Sequence, residues 1–249
     1  MKIGLVGGGT GGHFYPLIAV AEELKQAPEA PALYYFGPAP YDLDSLHAHN
    51  IDYVYVPAGK LRLYASIQNF FDVFRNIFGT IVAVFKLLLI YPDVIFSKGG
   101  YTSVPILLAA RFLRIPIVIH ESDAVPGRAN TLAKKAARYV AISYDDAAQY
   151  FPSNEVALTG IPLRKEVITP VENPFGFLQI PDDKPLIFIT GGSLGAERIN
   201  TLILRSLDEL LQHQCIFHQT GLTNIEDILL AIQSLHSNNA YLQDYYIVG

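Results

Sequence analysis

The chain has 249 residues, 51% of them hydrophobic and 16% charged, with a formal net charge of −5 and a mean hydropathy of +0.27. A disordered chain is poor in apolar residues and rich in net charge, so this balance excludes one. The single cysteine, Cys215, excludes a disulfide scaffold and suits a reducing compartment, and a sequence pI near 5.8 argues against a generic nucleic-acid binder.

Met1 leads almost directly into an apolar run, Ile3–Val6, without the charged segment and apolar core of a secretory signal, so a cytoplasmic protein is expected. Short apolar runs then recur at Ala32–Phe36, Tyr53–Val56, Val94–Ser97, Ile117–His120, Tyr139–Ile142 and Val156–Leu158. Stretches of helical period lie between them at Tyr15–Gln26, Ser66–Leu89, Ser103–Leu113 and Gly127–Ala137. Several strands are apolar throughout, as in a parallel sheet covered on both faces. Alternating strand and helix predicts a doubly wound α/β domain over residues 1–164.

Residues 165–185 carry four prolines and no period, which reads as a linker. A second unit of the same kind follows over 186–249, with strands at Leu186–Thr190, Ile216–Gln219 and Tyr245–Val248 and helices at Ala196–Gln212 and Asn224–Leu235. Its roughly 65 residues fall short of an ordinary α/β domain of about 100–150, so an incomplete second domain is expected.

Two features of the first domain stand apart. Between Lys60 and Val140 eleven basic residues face four acids, a local net charge of +7 that suggests a surface meeting phosphates or anionic lipid. Within that region, Ser66–Leu89 places Phe70, Phe71, Phe74, Ile77, Phe78, Ile81, Phe85 and Leu88 at helical spacing. The first choice is a long core helix. The second is an aromatic face in a membrane interface, aided by Lys60, Arg62, Arg75 and Lys86. Asp72, Arg75 and Lys86 argue against a spanning helix.

Chemistry is expected in the loops that leave the strands. Gly7-Gly8-Gly9-Thr10-Gly11-Gly12-His13 puts five glycines ahead of a helix, a backbone that can approach a phosphate closely with amides free at the helix start. The spacing satisfies G-x-G-x-x-G. The acidic ribose ligand expected about 20 residues on is replaced by Tyr34-Tyr35-Phe36-Gly37-Pro38, which argues against a dinucleotide site. His13 closes the loop. Ser97-Lys98-Gly99-Gly100-Tyr101-Thr102-Ser103 and His120-Glu121-Ser122-Asp123 leave strands at the same expected sheet edge, where ligands of parallel α/β sheets bind. A histidine and two carboxylates there read as functional groups, or else as hydrogen-bonded caps. Thr159-Gly160-Ile161-Pro162-Leu163-Arg164 presents an arginine at the linker, and Gly191-Gly192-Ser193-Leu194-Gly195-Ala196 opens the second unit, followed by His218-Gln219-Thr220-Gly221.

In this order, GGGTGGH (7–13), GGYTSVP (99–105), HESD (120–123), TGIPLR (159–164), GGSLGA (191–196) and HQTG (218–221) resemble the loops of the MurG family of peptidoglycan N-acetylglucosaminyltransferases, from Met1 to Gly249. The resemblance implies two Rossmann-like domains of B-type glycosyltransferase architecture. It also implies inverting transfer of N-acetylglucosamine from UDP-N-acetylglucosamine to the undecaprenyl-linked muramyl-peptide acceptor lipid I, giving lipid II. The implied setting is peripheral, on the cytoplasmic face of the cell membrane, with no cofactor, no required metal and no nucleic acid.

Residue by residue, Thr10, Gly11 and Gly12 match the turn that touches the UDP-sugar, with His13 beside it as candidate base. Arg164 and Ser193 fall on donor-contacting positions. Asp123 stands where the family usually carries asparagine, placing an anion near a pyrophosphate. Gly99, Gly100 and Tyr101 match the loop that meets the acceptor pyrophosphate. The far part of the family's second domain, which holds its main uridine and sugar contacts, has no counterpart here. Two alternatives stay open: a non-catalytic membrane-docking or acceptor-binding half (or a truncated fragment) of such an enzyme, and a similar glycosyltransferase acting on another lipid such as diacylglycerol.

Overall fold

A computed structural model describes residues 1–60, 67–173, 176, 180, 184–192 and 194–249. The chain divides into two compact units, Met1–Thr169 and Pro170–Gly249. In the first, seven strands form one parallel sheet: β1 (Lys2–Gly7), β2 (Ala32–Gly37), β3 (Ile51–Tyr55), β4 (Val94–Gly99), β5 (Ile117–Glu121), β6 (Tyr139–Ile142) and β7 (Val156–Leu158). Their order across the sheet is β3-β2-β1-β4-β5-β6-β7, so the chain reverses its winding direction between β1 and β4. The helices are α1 (Gly11–Leu24), α2 (Leu43–Ala48), α3 (Ile67–Ile90), α4 (Val104–Phe112), α5 (Arg128–Ala133) and α6 (Lys165–Ile168).

The strand pleat sends alternate side chains to opposite faces and so divides the core in two. Ile3 and Leu5 of β1, with Leu33 and Tyr35 of β2, pack against Phe14, Leu17, Ile18 and Ala21 of α1. Val6 and Phe36 point the other way, into a larger cluster with Ala83 and Leu87 of α3 and Ile106, Leu107 and Ala110 of α4. Covering both faces is what allows these strands to be apolar throughout.

The second unit repeats the pattern on a smaller scale: β8 (Leu186–Thr190), α7 (Glu197–Leu210), β9 (Cys215–Gln219), α8 (Ile225–Leu235) and β10 (Tyr245–Val248). Its parallel sheet has three strands in the order β10-β9-β8. Leu207 and Leu211 cover Ile216 and Tyr245.

Several elements depart from the sequence reading: α2 is not expected there at all, and α6 lies within the stretch read as a linker. Helix α1 begins at Gly11, four residues before the expected Tyr15, because the carbonyl of Thr10 accepts from both His13 N–H and Phe14 N–H. The glycine-rich stretch therefore supplies the first helical turn itself. Helix α3, expected first as a core helix, buries only a narrow stripe: Asn76, Gly79, Ala83 and Leu87. Phe70, Phe71, Phe74, Phe78 and Phe85 are each 56–66% exposed. Among the described residues α3 is long and apolar enough to cross a membrane. Its buried stripe docks closely on the domain: Gly79 leaves no room for a side chain against the carbonyl of Pro57.

Asn76 fixes that docking. Its Oδ1 accepts from Gly59 N–H at 2.9 Å and its Nδ2 donates to Gly59 O at 3.0 Å, a buried clamp on one peptide position. Asn76→Ala leaves that N–H and C=O buried without these partners, so a loss of about 2 kcal/mol is expected in urea unfolding. A loss too small to resolve would show that α3 is not held by this clamp.

Candidate functional site

The loops after β1, β4, β5 and β7 all emerge at the carboxyl edge of the parallel sheet, and those after β1 and β4 flank the point where winding reverses. They interlock through the absence of side chains. A methyl built on Gly8 would stand 2.5 Å from the Tyr35 hydroxyl, and one on Gly9 would stand 2.6 Å from the Tyr101 ring. At Gly100 a methyl would lie 2.8 Å from the Gly8 carbonyl and 3.4 Å from the His13 ring. Gly100 also has φ +82°, in the left-handed region that disfavours a side chain. Tyr35 Oη donates to Gly7 O at 3.0 Å and pins the first loop from beneath.

His13 is half-buried within this knot, its Nδ1 2.9 Å from Thr10 Oγ1. A base acting through Nε2 requires Nδ1 to carry the proton and donate it to that hydroxyl. Burial is the main cause that lowers the His13 pKa, and the Lys98 ammonium lowers it further, while Asp123 and Glu121 pull it up. Gly11 and Gly12, in the first turn of α1, place their amides ahead of the helix's own hydrogen-bond ladder, where an anion is favoured.

Glu121 and His120 prove to be braces, the hydrogen-bonded alternative of the sequence reading. Glu121 is buried and accepts three N–H bonds: Asp123 N–H on Oε1 at 3.0 Å, and Gly127 N–H and Asn130 Nδ2 on Oε2 at 2.9 and 3.0 Å. His120 Nε2 donates to Gly160 O at 2.9 Å, tying the loop after β5 to the loop after β7. Asp123 itself is exposed on the loop that Glu121 shapes. Arg164 lays its guanidinium over the Tyr15 ring, 4.1 Å from the centroid, and its Nη1 lies 3.4 Å from Glu166.

Thr10 with His13, Gly9 with Tyr101, and Gly100 with Gly8 and His13 are thus in direct contact; Gly11, Gly12 and Gly99 lie on the same two segments, and Tyr15 joins Arg164 to α1. Ser193 lies outside the described residues, as does Arg62. In the second unit, Gly195 and Gly221 approach the Thr220 and Leu194 carbonyls too closely for a side chain. Asn200 and Asn224 both donate to Thr220 O, at 3.0 and 2.7 Å. Among the described residues no group of three or more His, Cys, Asp or Glu is placed to hold a metal ion.

Residues 3–142, more than half the chain, match the glycosyltransferase family 28 N-terminal domain. The chain belongs to glycosyltransferase family 28. Among its relatives is the UDP-N-acetylglucosamine–N-acetylmuramyl-(pentapeptide) pyrophosphoryl-undecaprenol N-acetylglucosamine transferase of Treponema denticola, 39% identical, the match covering 88% of this chain and 59% of the relative. A Bacillus anthracis transferase of the same description is 36% identical, with 100% of this chain and 69% of the relative covered. The crystal structure of Acinetobacter baumannii MurG superposes with a TM-score of 0.62 at 26% identity, covering 100% of this chain and 65% of that one. At 18% identity, Neisseria meningitidis UDP-GlcNAc 2-epimerase shares the fold, with a TM-score of 0.64. The chain therefore spans between about three fifths and two thirds of the length of these transferases.

Three histidines give the chain a pH signature. Burial lowers the pKa of His13, His120 and His218 below the ordinary value of 6.5. As pH falls through 6.5 the unfolded chain takes up protons that the folded chain does not, so stability declines in that direction. The urea midpoint is expected to be lower at pH 5.5 than at pH 7.5, and an unchanged or higher midpoint at pH 5.5 would contradict neutral, buried imidazoles.

Proposed function

We propose that this chain carries the acceptor side, and part of the donor side, of an inverting N-acetylglucosaminyltransferase that uses UDP-N-acetylglucosamine and an undecaprenyl-pyrophosphoryl muramyl-peptide. The observation that carries this reading is the knot of glycine loops around His13 at the winding reversal of the first sheet. Relatives at 36–39% identity named for this transfer support it.

In the reaction the muramyl 4-hydroxyl attacks the anomeric carbon of the donor sugar, its proton passes to His13 Nε2, and UDP departs with inversion. The first-turn amides of α1 favour negative charge on a diphosphate lying across the loop. Arg164, preset on Tyr15, supplies a cation on the same side, and Gly99, Gly100 and Tyr101 receive the acceptor pyrophosphate. With His13→Ala, turnover in a radiolabelled transfer assay is expected to fall about 10²–10⁴-fold with the fold retained. A near-normal rate would remove His13 from the mechanism.

The lipid-linked acceptor calls for a membrane surface, and the exposed face of α3 suits one. Phe70, Phe74, Ile77, Phe78, Ile81 and Phe85 form an exposed apolar stripe, with Arg75 and Lys86 exposed on the same helix to meet anionic headgroups. We read this as peripheral attachment at the cytoplasmic face. Phe74→Asp with Phe78→Asp is expected to abolish co-sedimentation with phosphatidylglycerol vesicles while the circular dichroism stays unchanged; retained binding would contradict the reading.

The exposed apolar face of α3 suits one other reading, an acceptor-binding half without catalysis of its own. Calorimetric titration with UDP-N-acetylglucosamine separates the two: micromolar binding supports the transferase, and absence of both heat and turnover supports the half.

A further inference from the structure

We propose that Lys98 is a positioning residue for His13: its buried ammonium, tethered to Ser122, keeps the neighbouring imidazole in its neutral, proton-accepting form against the pull of Glu121 and Asp123. The proposal deepens the functional reading above and rests on His13 serving as the base.

Lys98 is the penultimate residue of β4 and only 3% exposed. An ammonium so placed is costly unless it is paired. Its Nζ donates to Ser122 Oγ at 2.8 Å, reaching across to the loop that follows the adjacent strand β5. On the opposite side its stem meets the first glycine loop. A methyl built on Gly7 would stand 2.9 Å from both Lys98 Cβ and the His13 carbonyl, so the two residues share the space left by one missing side chain. The His13 ring in turn rests on Gly100, two residues beyond Lys98 in the chain. Lys98 thus lies between the loop that carries the imidazole and the loop that carries two carboxylates.

The charged groups acting on His13 come from two elements: Lys98 from the end of β4, and Glu121 and Asp123 from the end of β5 and the loop beyond it. Thr10, on its own loop, contributes a neutral hydroxyl. Glu121 is already engaged by three N–H donors, and those bonds hold its charge in place beside the site. Burial is the larger cause that keeps the ring neutral; without Lys98 the upward pull of Glu121 and Asp123 would act on it unopposed by that ammonium, and a protonated ring cannot accept the hydroxyl proton. The same two carboxylates favour the charged form of Lys98 against its burial, so the cation and the anions stabilise each other.

The test follows the His13 ring by NMR in the isotopically labelled chain across pH 4 to 9. Lys98→Met, which keeps the length and removes the charge, is expected to raise the His13 pKa. Lys98→Arg restores it towards the wild-type value. Asp123→Asn, an exposed change, moves it in the opposite direction, downward. A His13 titration that Lys98→Met leaves in place overturns the proposal. Should Lys98→Met fail to fold, Lys98→Gln takes its place: an upward shift of the His13 titration supports the proposal, and an unmoved titration overturns it. The titration reads the imidazole itself, so normal turnover by His13→Ala would defeat the base assignment without altering this measurement.

Discussion

The site depends on one steric constraint: two loops at the winding reversal approach so closely that neither tolerates a β-carbon. Gly8 lies against Tyr35, Gly9 against Tyr101, and Gly100 against the Gly8 carbonyl. A methyl at any of these positions would push the loops apart, and with them the Gly11 and Gly12 amides and the His13 ring. Main-chain groups can crowd a diphosphate only where side chains do not stand in the way. The parallel sheet supplies the frame, because all seven strands deliver their following loops to the same edge.

Around that contact the polar side chains divide into braces and working groups, and burial separates them. Glu121, His120 and Asn130 spend their hydrogen bonds on backbone and on one another, fixing the loop after β5. His13 is only half-buried, and Asp123 and Arg164 retain exposure. Lys98 belongs to neither class. It is as buried as a brace but carries a charge that acts on the group next to it, so the electrostatics of the rim are set from inside the fold.

Much of this was legible in the sequence. The central strands such as β1 and β4 can be placed because covered parallel strands are nearly unbroken apolar runs, and the loops because glycine clusters follow those runs. For helix α3 the first choice, a core helix, gives way to the second, an exposed aromatic face, for a physical reason. Apolar periodicity states which face is greasy, not what covers it, and here the docked stripe is Asn76, Gly79, Ala83 and Leu87 while the phenylalanines face outward. The braces were also hidden. That Glu121 would bind the amide of Gly127, or that Tyr15 would lie beneath Arg164, depends on side-chain reach across 6 to 149 positions of chain, which no local pattern encodes. Lys98 showed only as a basic residue in a glycine turn, and its burial and its reach to Ser122 required the packing of β4 beside β5.

The central claim is that main-chain amides at this rim hold a pyrophosphate. It is tested most directly by amide chemical-shift mapping as a water-soluble, short-prenyl pyrophosphoryl muramyl-peptide is added to the chain. The largest shifts are expected at Gly8–His13 and Gly99–Tyr101. Shifts confined to other parts of the surface, with those amides unmoved at saturation, would contradict it.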